Sequence, residues 1–146
     1  MDSHVWDVYI RGYGVSDNFH DLFSTLCNYS GVDAFFERLM FEDSRKHIDI
    51  TFVKFRRGWV VFDPFNGAYF ENRNGNWATT EEIRGGDWKL AKLPKSVIQA
   101  SYYSTFIKLV PEVVTMGYRR ANTQSPVNRF KLQLHKFLSG QEPLLE

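Results

Sequence analysis

Apolar residues recur at Phe19, Leu22, Phe23, Leu26 and Cys27, the i, i+3, i+4, i+7, i+8 spacing of one helical face. Ser16 stands where an N-cap belongs. Asp17 falls in the first turn, where a carboxylate suits the positive helix end. Gly31 stands at the C-terminal stop. The pattern therefore predicts a buried helix from Ser16 to the residues before Gly31, entered through a turn at Gly12 and Gly14. Residues 5–12 read as a short helix packing Trp6, Tyr9 and Ile10, although alternation is equally arguable there.

Beyond Gly31 the period shortens. Residues 32–41, rich in phenylalanine, predict a strand, followed by a charged loop over 42–46. Residues 47–55 alternate cleanly: Ile48, Ile50 and Phe52 face one way, and His47, Asp49, Thr51 and Val53 the other. Arg56-Arg57-Gly58 makes a tight turn, 59–63 return as a second strand, and Pro64 ends it. If Lys54 opposes Gly58, Asp63 lies opposite Asp49, diagonal to His47. A three-residue loop places Asp63 opposite Thr51 instead, with His47 too far along the strand for contact. A further hairpin is expected over 65–78, turning at Asn74-Gly75. Thr79-x-x-Glu82 has the form of a capping box opening a short helix at 81–84. Residues 96–109 read as a helix with an incomplete stripe of Val97, Tyr102, Phe106 and Leu109, ended by Pro111. Residues 129–135 alternate strictly and are read as a strand, although Phe130, Leu134, Phe137 and Leu138 also fit a helical face.

The 146 residues fit one domain with one core. Hydrophobic content of 43% with 24% charge marks a globular chain. No apolar run approaches the ~20 residues of a membrane span. The polar start, Met1-Asp2-Ser3-His4, lacks a signal-peptide core, which points to the cytoplasm unless the chain is a domain cut from a longer protein. A single cysteine, Cys27, excludes an internal disulfide and a multi-cysteine zinc site. His4, His20 and His135 have no metal-ligand spacing, so neither metal nor cofactor is expected. Charge is uneven: residues 1–87 hold 9 Lys/Arg against 14 Asp/Glu, and 88–146 hold 9 against 3. With no nucleic-acid motif beside it, the basic part is read as neutralising the acidic one, and no nucleic-acid partner is expected.

Together, Gly14-Val15-Ser16-Asp17-Asn18-Phe19 on a helix, Gly31 after it, His47 opening a strand, and Trp59-Val60-Val61-Phe62-Asp63-Pro64 resemble the transglutaminase-like superfamily. The run from Asp63 to Phe70, then Asn74-Gly75 and Glu81-Glu82-Ile83, is similar to bacterial members. The match spans residues 12–84, and 96–146 would be a C-terminal helix and strand extension of the same single domain. The resemblance implies an α+β, papain-like fold with a central helix packed on an antiparallel sheet. It also implies an acyl-transfer site: a cysteine at the helix N-terminus, a histidine at a strand start, and an aspartate after a Trp-containing strand. Those positions are Ser16, His47 and Asp63, with Tyr13 or Trp6 as candidate second oxyanion donors.

The departure is Ser16, which stands where the family has cysteine. A thiolate forms because a helix N-terminus and an imidazolium lower a pKa that starts at about 8.5. A hydroxyl reacts only with a concerted base and an aligned oxyanion hole. Several readings of Ser16 stand together. It marks a pseudoenzyme by natural loss, an engineered Cys→Ser change, a working Ser-His-Asp hydrolase, or a plain helix cap. The competing class is a non-catalytic module that binds or scaffolds a peptide or glycan. Asp63 before Pro64 also has a purely local reading, an Asx-type turn.

Overall fold

The computed structural model describes residues 5–40 and 46–111 and, singly, Phe130, Leu134 and Leu138. Over these residues the protein is α+β, with a five-stranded antiparallel sheet in the order β1-β2-β3-β4-β5. Helices α1 (Val5–Arg11) and α2 (Ser16–Tyr29) come first. Strands β1 (Ala34–Met40), β2 (His47–Phe55), β3 (Gly58–Asp63) and β4 (Ala68–Glu71) follow. Helix α3 (Thr80–Arg84), strand β5 (Lys89–Lys92), helix α4 (Ala100–Ser104) and a 3-10 turn (Ile107–Leu109) complete the described order. No described helix is long and apolar enough to cross a membrane.

Local chemistry sets the ends of α2. Its N-cap is Val15, and Ser16 is the first helical residue. The cap bond comes from Asn18, whose Oδ1 accepts from the Val15 N–H at 3.2 Å. At the other end, Val32 N–H reaches Cys27 O at 2.9 Å and Gly31 N–H reaches Asn28 O at 3.1 Å. This is the Schellman pair, with Gly31 at φ 80° in the left-handed position that a Cβ disfavours. At α3, Thr79 Oγ1 accepts from Glu82 N–H at 3.3 Å while Glu82 Oε2 accepts from Thr79 N–H at 2.8 Å, the reciprocal box read from sequence.

Strand β2 carries the alternation through the centre of the molecule. Ile48, Ile50 and Phe52 enter the main core with Phe35, Val61, Phe70, Ile83, Tyr103 and Phe106. Val53 points the other way, into a second cluster with Ala34, Val60, Phe23 and Phe62. All of residues 48–53 are buried because α2 covers one face of the sheet and the α3–α4 segments cover the other.

Helix α1 buries Val5 and Val8, not the Tyr9 and Ile10 expected to pack, which are exposed. Four other expectations change. First, the predicted apolar face of α2 is only partly covered; Leu26 is exposed. The deepest face is polar: His20, Asp21, Ser24, Thr25 and Asn28. Second, residues 96–109 do not form one helix. Val97 is exposed, and helical backbone is confined to Ala100–Ser104 and the Ile107–Leu109 turn; Tyr103, Phe106, Ile107 and Val110 are buried, with Ile98 and Leu109 partly buried against the core. Third, β5 is a four-residue edge strand that the sequence pattern did not mark. Fourth, Phe130 and Leu134 have helical backbone where a strand is expected, as does Leu138 beyond it; the rest of 129–135 lies outside the described residues.

Candidate functional site

The β2–β3 hairpin pairs Phe55 with Gly58 and Thr51 with Phe62. This register lies between the two weighed from sequence. Its continuation sets Asp63 level with Ile50, so Asp63 belongs to the opposite side from His47, Asp49 and Thr51. A one-residue change of register exchanges faces in this way. His47 is exposed, pairs with Met40 at the outer start of β2, and lies four residues, about 13 Å at strand rise, from Thr51. Ser16 is half-buried at the start of α2. Neither Ser16 nor His47 makes a side-chain hydrogen bond or ion pair among the described residues. The Ser16, His47 and Asp63 side chains are thus not brought together as a hydrogen-bonded set. Tyr13 is exposed, and the Trp6 side chain lies outside the described residues.

The structure assembles a different set around Asp63. His20, one turn into α2 from Ser16, is 0% exposed. Its Nδ1 lies 2.9 Å from Thr51 Oγ1, and its Nε2 faces Asp63 Oδ1 at 3.5 Å. Asp63, 1% exposed, ends β3 and is reached from both covering layers. Tyr103 donates its hydroxyl to Oδ2 at 2.8 Å. Asn66 donates its backbone N–H to Oδ1 at 2.9 Å and its side-chain amide to Oδ2 at 2.7 Å, closing the Asx-type turn through Pro64. Burial pushes the Asp63 carboxyl up. The contacts from His20, Asn66 and Tyr103 outweigh it, so its pKa lies below the ordinary carboxylate range. Burial first, and the Asp63 charge second, hold the Tyr103 phenol well above its usual value.

Hydroxyl, imidazole and carboxylate therefore stand in the order of a catalytic triad, yet Thr51 is as closed to solvent as His20. The ring has no exposed surface, and its nitrogens face Thr51 and Asp63, so neither is open to a ligand outside. The sequence signal for this arrangement was a second helical stripe, His20, Ser24 and Asn28 at steps of four. Burial of Ser24 and Asn28 is offset by bonds to backbone carbonyls: Ser24 Oγ donates to His20 O at 2.8 Å, and Asn28 Nδ2 donates to Ser24 O and to Ala34 O.

Around the start of α2, Arg38 grips the buried Asp49 through Nε at 2.8 Å and Nη2 at 3.3 Å, and approaches Asp17 at 3.8 Å. Beside it opens a cleft of about 430 Å³ lined by Asp7, Arg11, Tyr13, Gly14, Val15 and Asn18, among others. Gly14 is closely approached: a Cβ there would lie 3.0 Å from Asn18 Oδ1 and 3.1 Å from Asn18 Cβ. Burial raises the pKa of the one cysteine, Cys27, which keeps it a thiol rather than a thiolate. Comparison with family models, with curated proteins and with solved structures returned no match for this chain.

Proposed function

We propose that this chain is a non-catalytic binding domain with a transglutaminase-like, papain-like layout. In it, the family's cysteine position is filled by Ser16 and the hydroxyl–imidazole–carboxylate chain serves as an internal brace. One observation carries the reading: the only histidine in contact with Asp63 among the described residues is turned inward, with its ring nitrogens facing Thr51 and Asp63 and no exposed surface. General-base chemistry needs a ring nitrogen within hydrogen-bond reach of the proton it takes. The order of elements supports the layout: a helix opening at Ser16, then an antiparallel sheet with Asp63-Pro64 closing a central strand. The cleft at the start of α2 is the binding surface of this reading. Asp7 and Arg11 offer both signs of charge beside the Tyr13 ring, a combination that suits a peptide segment.

Treatment with a fluorophosphonate, which labels activated serines, tests the non-catalytic part. The intact protein stays unlabelled at Ser16, and Ser16→Cys gives a thiol that alkylates with iodoacetamide as an ordinary thiol of pKa about 8.5 does. Labelling of Ser16, or amide hydrolysis by Ser16→Cys, overturns the reading in favour of a working or restorable enzyme.

A further inference from the structure

A second concavity, of about 480 Å³, lies between the β2–β3 turn and the Asn74-Gly75 turn and shares no lining residue with the cleft at the start of α2. Its size falls within the roughly 300–1,000 Å³ of ligand clefts. Phe55, Arg56, Arg57, Val60, Asn76 and Trp77 line it. Trp77 is held in place by Phe55 at 4.7 Å and Phe62 at 5.6 Å between ring centroids, yet the residue remains 46% exposed. A tryptophan braced by two rings and still half-exposed is a preformed apolar surface whose ordering cost is already met by folding. Arg57 is engaged by Glu82 at 2.7 Å. Arg56 is not engaged: it makes no hydrogen bond or ion pair among the described residues, and it is exposed at the rim. The Asn76 side-chain amide is likewise without a hydrogen bond there, since only its backbone groups bond, to Asn72.

We propose that this groove binds a carboxylate-bearing oligosaccharide. Three chemistries converge, and one hexuronate residue meets all of them. The flat C–H face of the sugar ring lies on Trp77 and Phe55. The carboxylate takes the Arg56 guanidinium fork, whose planar geometry matches it in a two-point bond. A ring hydroxyl takes the Asn76 amide. An acidic peptide side chain supplies the charge without the flat face, and a neutral sugar supplies the face without the charge. The site shares no residue with the α2 cleft, and its test does not involve Ser16, so the two readings stand or fall separately.

Calorimetric titration with trigalacturonate decides it, with neutral cellotriose and a triglutamate peptide as the comparison ligands. Saturable binding of trigalacturonate is expected, at least about tenfold tighter than either comparison ligand. Arg56→Ala removes an exposed side chain without partners, so the fold is kept; it should weaken binding about tenfold, and Trp77→Leu should do the same. If Trp77→Leu unfolds, as circular dichroism would show, the Arg56→Ala result decides alone. Absence of saturable binding, equal binding of triglutamate or cellotriose, or an unchanged affinity in Arg56→Ala overturns the proposal.

Discussion

Replacing Asp63 by asparagine keeps the shape of the side chain and exchanges one acceptor oxygen for a donor. Four donor atoms surround the carboxylate: the Tyr103 hydroxyl, both Asn66 nitrogens and, at 3.5 Å, His20 Nε2. If the one oxygen left to the substituted side chain stays with Tyr103 and the Asn66 amide, the new NH2 group faces the Asn66 N–H and His20 Nε2. His20 can shift its proton to Nδ1 and donate to Thr51, but a backbone N–H cannot adapt. One buried donor left without a partner costs about 1–3 kcal/mol, and bonds to a charge lose roughly half their strength when the charge goes. A total near ~3 kcal/mol follows from these two terms. With an m-value of about 2 kcal/mol/M, the urea midpoint falls by about 1.5 M. The loss also depends on pH. The folded Asp63 pKa is depressed below its unfolded value, so its contribution is fully present above about pH 4 and disappears as pH falls through the lower, folded pKa. The gap between the two proteins should therefore hold above about pH 4 and narrow as pH falls below it. A variant within about 0.5 kcal/mol of the parent at neutral pH, or a gap that ignores pH, refutes the assignment of Asp63 as a charged brace.

Three further substitutions separate structural from idle residues. Arg38→Ala leaves the buried Asp49 carboxylate without its two-point partner and should cost about 2–3 kcal/mol by urea denaturation. Gly14→Ala must push Asn18 from its place over the Val15 N–H, and the lost cap, about 1 kcal/mol, should lower the melting temperature by roughly 2–4 °C. His47→Ala removes an exposed side chain without partners among the described residues, and should change stability by no more than about 0.5 kcal/mol.

Much of the sheet was legible because strands announce themselves by a period of two. Residues 47–55 and 59–63 were placed within a residue, and the Thr79–Glu82 box formed as its chemistry dictates. The site around Asp63 was not legible, for two physical reasons. Hydropathy ranks serine and asparagine as surface residues, yet on α2 Ser24 and Asn28 bond to their own helix carbonyls and pack inward, so the stripe of Phe19, Leu22 and Phe23 is not the deepest face. The turn at Arg56-Arg57 closes with two residues, with Gly58 already in the strand, and that one-residue difference alone moved Asp63 to the face away from His47. Asp63 itself was identified by its place before Pro64. Its distant partners His20 and Tyr103 lie 43 and 40 residues away, beyond any local pattern.

The histidine ring protons measure the central claim most directly. Nitrogen-edited NMR at neutral pH should show a proton on His20 Nε2, facing the Asp63 carboxylate, that exchanges with water far more slowly than any ring proton of the exposed His47. A His20 ring proton that exchanges as fast as that of His47 would show the imidazole open to solvent, and the sealed brace on which the non-catalytic reading depends would not exist.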